Sequence, residues 1–218
     1  KIELYDKNKK VNEIEFEYQI AMGSLPKELR PSLDSFRNCK KLKFKIDEKK
    51  SNDFKIKILK NSKKKIVGIS WKTISKSMSK RNSLKSLSLE SFILGIYSPN
   101  IIFVSLQYGN ITEEINFIKN KHGIEIYELT EIDIFNNLDD LAALINTCDE
   151  IVSIANINVN LAGAINIQSN VLIDNASLWR FGQFNNECYW FPSLKLFRNG
   201  NSSNWTNCLE KIRTEINN

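Results

Sequence analysis

The sequence has few of the residues from which compact chemical motifs are built. Its 218 residues include 8 glycines, 4 cysteines and 1 histidine. The cysteines are scattered, without a CxxC pair and without a neighbouring histidine, at Cys39, Cys148, Cys188 and Cys208. Neither a zinc site nor a disulfide framework is therefore predicted. A reducing compartment, the cytoplasm, is the preferred interpretation of this cysteine usage.

Long apolar runs are also missing. No run approaches the ~20 residues that a membrane-spanning helix requires, and the charged, periodic start does not have the pattern of a signal peptide. We therefore expect no membrane span. The composition is 42% hydrophobic and 10% aromatic, which is enough to bury a full-sized core and predicts one globular domain with an appendage.

The net charge of +6 is distributed unevenly along the chain. Lysines crowd residues 40–65, whereas residues 124–150 are acidic. We interpret the basic segment as a solvated face or a linker. Its aromatic residues are few, mainly Phe44 and Phe54, so binding of nucleic acid is not expected.

From Lys65 onward, short β-branched runs alternate with segments of helical spacing. The predicted strands are KIVGISW, NIIFVSLQYG, GIEIYEL, EIVSIA, SNVLID and SLKLFR, and the helix TEEINFIKNKH is predicted to end at Gly123. Apolar strands that are each followed by a helix indicate a parallel sheet covered on both faces. Residues 65–218 are thus predicted to form an α/β domain with a Rossmann-like, doubly wound sheet. Residues 1–64 do not follow the repeat and are predicted to be a separate segment ending in a basic linker.

The carboxyl ends of parallel strands are where such sheets bind their ligands. No GxGxxG follows the first strand and no GxxxxGK[ST] occurs in the chain, which argues against a nicotinamide dinucleotide and against a P-loop NTPase. What remains is the helix predicted after the fourth strand. Its free N–H groups and asparagine side chains suit an anionic group such as a diphosphate.

Six segments resemble, in order and spacing, the carboxy-terminal half of bacterial tetratricopeptide-linked glycosyltransferases. They are VGISWK, KSLSLESF, FVSLQYG, GIEIYEL, LDDLAALINTCDEIVSIANINVNLAGA and LWRFG…CYWFPSLKLFR. That family is similar to the heptosyltransferases and, more distantly, to the O-GlcNAc transferases, all of GT-B fold. The resemblance runs from about residue 18 to residue 215, because QIAMGSLPKELRPSLDSF is similar to the end of the family's amino-terminal domain.

In that family the carboxy-terminal domain binds a nucleotide-diphosphate sugar, and the acceptor and its general base come mainly from the amino-terminal domain. Transfer takes place between the two without an obligatory metal. The resemblance therefore implies a nucleotide-sugar substrate, no further cofactor, and a protein or glycan acceptor. No residue of this chain recommends itself as the catalytic base. The base is expected upstream of Lys1, and the chain alone is expected to be inactive.

The family's SNTTVHLAGA pattern falls on residues 153–164 and, by resemblance, places Asn156, Ile157, Asn158 and Asn160 in the donor site, with Asn156 and Asn158 at the donor's phosphates. Two hydroxyl residues of the pattern are Ala155 and Ile157 here, and its usual histidine is Asn160. A different interpretation is that the asparagines simply cap the helix.

Five further positions of the donor site follow from the resemblance. Lys72 and Lys85 would neutralise the leaving diphosphate. Trp71 and Gln107 would line the pocket, and Asp133 lies on the loop that faces the base and ribose. Each has a plainer alternative, namely solvated lysines, a tryptophan packed in the core and an ordinary acidic loop. The segments WRFG and CYWFPS are predicted to form an aromatic cluster that closes the domain.

Two functions from different classes follow. The first is the donor-binding half of a glycosyltransferase. The second is a non-catalytic, GT-B-like interaction scaffold attached to a tetratricopeptide repeat region, in which Ala155, Ile157 and Asn160 have removed the donor site.

Overall fold

The structure is a computed structural model that describes residues 18–37, 44–73, 87–174, 178–182, 186–200 and 204–217. The chain divides into two compact units, Lys1–Cys39 and Lys40–Asn218. In the first unit the described residues form a 3₁₀ helix, Met22–Ser24, followed by the short helices α1 (Leu25–Leu29) and α2 (Asp34–Arg37). Pro26 lies in the first turn of α1, where the N–H that proline lacks would have no helical partner.

The second unit is built on a six-stranded sheet in the order β3-β2-β1-β4-β5-β6, and every neighbouring pair is parallel. The strands are β1 (Lys65–Ser70), β2 (Ile101–Ser105), β3 (Ile126–Tyr127), β4 (Glu150–Ile154), β5 (Ser169–Ile173) and β6 (Leu194–Arg198). The predicted doubly wound, Rossmann-like α/β fold is confirmed. Strand β3 is only two residues long and pairs on one side alone, with Phe103 and Val104 of β2.

Helices cover both faces of the sheet. They are α3 (Glu48–Leu59), α4 (Leu89–Ile96), α5 (Thr112–His122), α6 (Leu138–Thr147), α7 (Ile157–Ala164), the 3₁₀ helix Trp179–Phe181, and α8 (Thr206–Ile216). Alternate residues of β1 point to opposite faces, as a strand requires: Val67 packs with α4, α5 and α8, whereas Ile66 packs with α3, α6 and α7. Within the described residues, no helix is both long and apolar enough to cross a membrane.

Helix α5 ends as its sequence predicts. Gly123 follows it with φ +67°, in the left-handed region that glycine enters without strain, and its N–H donates to the Lys119 carbonyl at 3.0 Å. This closure turns the chain toward the edge strand β3.

The basic segment contributes a helix to the second unit. Ser51, Phe54 and Ile58 are the buried residues of α3, and the Ser51 hydroxyl donates to the Ala143 carbonyl of α6 at 3.0 Å. The compact unit therefore starts before residue 65, the boundary expected from the sequence, because the apolar face of α3 is covered by α6. Three lysines of this segment form ion pairs with the acidic segment: Lys50 with Asp140, Lys55 with Asp149 at 3.5 Å, and Lys57 with Glu131 at 2.9 Å.

Candidate functional site

The strand order reverses between β1 and β4, which are neighbours in the sheet although β2 and β3 come between them in the chain. A doubly wound sheet opens a crevice at such a point, outside the carboxyl ends of its strands. Trp71 and Lys72 follow β1 at this edge, and Asn156 follows β4. The site predicted from the sequence therefore lies where the topology favours a ligand.

Asn156 joins the ends of β1 and β4. Its Oδ1 accepts a hydrogen bond from the Asn158 backbone N–H at 3.0 Å, which makes it the N-cap of α7. Its Nδ2 donates to the Ser70 hydroxyl of β1 at 2.8 Å. The capping interpretation is thus confirmed, and the cap also fixes where α7 begins relative to the crevice.

Gln107 organises the loop after β1. Its side chain is 2% exposed, and its Oε1 accepts hydrogen bonds from Ser70 Oγ at 3.1 Å, Trp71 N at 3.2 Å and Lys72 N at 3.1 Å. The side-chain oxygen is therefore fully used inside the protein. Gln107 thus shapes the floor of the crevice, and it is also one of the residues that line a cleft at the ends of β2 and β3; its role toward a donor stays a prediction.

Asn158 points into the interior. Its side chain is 1% exposed, and its Nδ2 donates to the Leu106 carbonyl at 2.9 Å. The bond ties the first turn of α7 to the chain just after β2. The Asn158 side chain is thus committed to the fold, whereas the resemblance placed it at the donor's phosphates.

Lys72 and Trp71 share one carboxylate. The Lys72 ammonium forms an ion pair with Glu114 of α5, and Trp71 Nε1 donates to the other oxygen of Glu114 at 3.0 Å. Trp71 is fully buried, so its core-packing interpretation is the one observed. Lys72 lies at the predicted edge, but Glu114 already neutralises its charge.

Asn160 connects α7 to the segment after β5. Its Nδ2 donates to the Asn156 carbonyl at 3.0 Å, and its Oδ1 accepts from Arg180 Nε at 3.1 Å. Hydrogen bonds thus run without a break along a polar chain, which consists of Gln107, Ser70, Asn156, Asn160 and Arg180. Burial lowers the pKa of the Arg180 guanidinium from its usual value.

A cleft of about 230 Å³ opens at the same edge, at the ends of β2 and β3. The rings of Tyr108 and Phe135 lie 5.3 Å apart in its wall.

The Asp133 carboxylate accepts hydrogen bonds from Asn136 Nδ2 at 2.7 Å and from the backbone N–H of Phe135 at 3.0 Å, and so fixes the conformation of the loop beside the cleft. These bonds, that of the Asn136 side chain foremost, lower the pKa of Asp133. Burial raises the pKa of Glu128, which is one of the residues that line the cleft.

The chain is similar to the protein FlbA of Caulobacter vibrioides. The two are 29% identical over 202 residues, which is 92% of this chain and 33% of that protein. The chain thus spans about one third of the length of this relative. No protein-family model matches the chain.

The structure brings together six of the predicted site residues along one edge of the sheet: Trp71, Lys72, Gln107, Asn156, Asn158 and Asn160. Ile157, 48% exposed, is the first residue of α7. Lys85 lies outside the described residues, and its role stays a prediction. Within the described part of the chain, no group of three or more His, Cys, Asp or Glu side chains could hold a metal ion.

Arg180 and Glu128 are the side chains at this edge that sequence reasoning missed. The segment WRFG was interpreted only as part of an aromatic cluster. That cluster is present: Trp179 and Trp190 make an edge-to-face contact at 5.8 Å, and Phe181 is buried. The signal available for Arg180 was a single cation between two aromatic residues, in the loop that follows the predicted strand SNVLID.

Proposed function

We propose that this chain is the donor-binding half of a glycosyltransferase. It would bind a nucleotide-diphosphate sugar for metal-independent transfer to an acceptor, a protein or a glycan, held by an amino-terminal domain. One observation supports the proposal above the others. The N-terminus of α7 lies at the reversal of strand order, and Gln107 links it to a cleft with aromatic walls at the same edge.

The chemistry of that edge fits the two ends of a nucleoside diphosphate. Backbone N–H groups in the first turn of a helix lack helical partners and attract anions. Two aromatic rings, Tyr108 and Phe135, offer a surface for a base, and the Glu128 carboxyl can accept hydrogen bonds from hydroxyl or amino groups. Ser105 and Gln107 line the cleft, and Gln107 belongs also to the polar chain. One ligand extending from the cleft to α7 would touch both.

The proposal is tested by titrating UDP, ADP and GDP into the chain by calorimetry, with ligand-observed NMR for weak binding. We expect at least one of them to bind with micromolar to millimolar affinity. Binding should weaken as salt rises from about 50 mM to about 300 mM, because part of the attraction is between charges that ions screen. Absence of binding for all three would contradict the donor-site proposal and favour the interaction scaffold.

Donor binding is expected without sugar transfer. The acceptor and the general base are proposed to belong to the amino-terminal domain. At the N-terminus of α7 the Asn156 side chain bonds the Ser70 hydroxyl and the Asn158 backbone N–H, neither of which is a general base. Turnover of any nucleotide-sugar by this chain, above a control without protein, would show that a base had been overlooked.

A further inference from the structure

Arg180 is a half-buried cation fixed at the proposed site. It lies in the 3₁₀ helix Trp179–Phe181 that follows β5, and its Cζ is 5.0 Å from the centroid of the Phe181 ring. Its Nε donates to Asn160 Oδ1 at 3.1 Å. Because Asn160 is itself bonded to the carbonyl of the N-cap Asn156, the guanidinium is held beside the first turn of α7.

No carboxylate among the described residues lies within ion-pair distance of Arg180. Two neighbouring cations have more of their hydrogen-bonding capacity used by the protein. Lys72 is paired with Glu114, and Arg198 donates to the carbonyls of Phe181 at 2.8 Å and Gly182 at 3.1 Å. A charge that is partly removed from water without a counter-ion lowers stability. A ligand anion would offset that cost at Arg180.

The unused part of the guanidinium has the right chemistry for a phosphate. Only Nε has a hydrogen-bond partner among the described residues, which leaves the N–H groups of both terminal nitrogens. Those groups form a planar fork that matches two oxygens of a phosphate. The hydrogen bond from Arg180 Nε to Asn160 uses neither terminal nitrogen and limits the orientations that the guanidinium can adopt.

We propose that Arg180, positioned by Asn160, is the cation that binds the diphosphate of the donor nucleotide. The inference rests on the proposed function and deepens it. Arg180 takes the role that the resemblance gave to Lys72, while that of Lys85 stays a prediction, and Asn160 acts through Arg180 rather than on the ligand itself. The site consequently selects ligands by their phosphate charge, so nucleoside diphosphates bind more tightly than the corresponding nucleosides.

Calorimetric titration of UDP, ADP and GDP into the 218-residue chain and its variants tests this role. Arg180→Gln should weaken binding of the diphosphate that the unmodified chain binds best by about ten- to a hundredfold, since it removes a charge-assisted hydrogen bond. Arg180→Lys keeps the charge and loses the fork, so a smaller loss, about three- to tenfold, is expected. The matched control is Arg213→Gln on the exposed face of α8, which removes the same charge and should change affinity by less than about twofold.

The positioning role of Asn160 is tested by a double-mutant cycle. Asn160→Ala should weaken binding by about three- to tenfold in the unmodified chain and by less than about twofold in the Arg180→Gln chain, because its effect passes through Arg180. Thermal melting of each variant without ligand separates lost stability from lost binding. Equal losses in the two backgrounds would show that Asn160 does not act through Arg180.

The outcomes separate the inference from the proposed function. If no diphosphate binds the unmodified chain, both are overturned. If a diphosphate binds and Arg180→Gln binds it equally well, the role of Arg180 is overturned and the proposed function stands. If Arg180→Gln does not fold, Arg180→Lys decides, because unchanged affinity in that variant contradicts recognition by the fork.

Discussion

The two flanks of the crevice differ in how their polar groups are used. The β2 flank consists of Lys72, Gln107, Glu114 and Asn158, and the β5 flank consists of Asn160 and Arg180. In the β2 flank, Lys72 pairs with Glu114, the Gln107 oxygen accepts three hydrogen bonds, and Asn158 bonds a carbonyl in the interior. In the β5 flank, the Arg180 guanidinium has a hydrogen-bond partner among the described residues at Nε only.

This difference shows that a cation at a strand end need not be available to a ligand. Lys72 and Arg180 both lie at the carboxyl edge, yet only Lys72 has a carboxylate against it among the described residues. The ion pair between Lys72 and Glu114 is partly buried, and the negative charge of Glu114 cancels most of the attraction that Lys72 would exert on a ligand anion. The β2 flank therefore builds the floor of the crevice, and the β5 flank provides its charge.

The largest effect expected in the β2 flank is on stability. Asn158→Ala removes a buried hydrogen bond and leaves the Leu106 carbonyl without its donor, so the free energy of unfolding should fall by about 1–3 kcal/mol. Diphosphate affinity, measured well below the melting temperature, should change by less than about twofold, because the side chain faces the interior. Denaturant unfolding and calorimetry measure the two quantities.

Asn116→Ala, at an exposed position of α5, is the control and should change the free energy of unfolding by less than about 0.5 kcal/mol. A large loss of diphosphate affinity in Asn158→Ala, with little loss of stability, would show that the Asn158 side chain contacts the ligand and does not only support the floor of the crevice.

A smaller effect is expected when the ion pair of the β2 flank is opened. Glu114→Gln keeps an acceptor for Trp71 Nε1 and releases the charge of Lys72, so diphosphate affinity should rise by about two- to fivefold at low salt. Lys72→Gln alone should lower affinity by less than about twofold. Calorimetry at two salt concentrations measures both variants. If Lys72→Gln weakens binding tenfold, the ion pair does not shield Lys72, and the contrast between the flanks fails.

The smallest effect concerns Glu128 in the cleft beside the β2 flank. Burial raises its pKa above the usual 4.5. The favourable contribution of the neutral carboxyl is complete below the pKa of the unfolded chain and is lost as the pH rises through the higher pKa of the folded state. Glu128→Gln should therefore gain melting temperature relative to the unmodified chain at pH 7, by no more than about 2 °C, and show no gain near pH 4.

Thermal melts at the two pH values measure this difference. Glu210→Gln is the control, because it removes a carboxylate that lies at an exposed position of α8 and that folding does not bury. A gain for Glu128→Gln that is equal at both pH values would mean that its ionisation does not contribute.

Much of the fold could be predicted because its signals are local. Each predicted strand appears in the sheet, and α7 begins and α5 ends at the residues that capping chemistry favours, Asn156 and Gly123. The site was predicted less completely. Its place at the strand ends followed from topology, but the partners of its side chains did not. Glu114 lies 42 positions from Lys72, and Asn160 lies 20 positions from Arg180.

By itself the sequence determined the alternation of strands and helices, the parallel sheet and the capped helix at its carboxyl edge. These depend on periodicity, on β-branched runs and on backbone groups that need a nearby partner. Only the tertiary structure decided that the basic helix α3 packs on α6, that Glu114 neutralises Lys72, and that Arg180 is held by Asn160 with no carboxylate against it in the part of the chain that the structure describes. The reason is physical. Charged and hydrogen-bonding groups pair with whichever groups the fold brings within about 3 Å, and the separation of two residues in the sequence does not predict that distance.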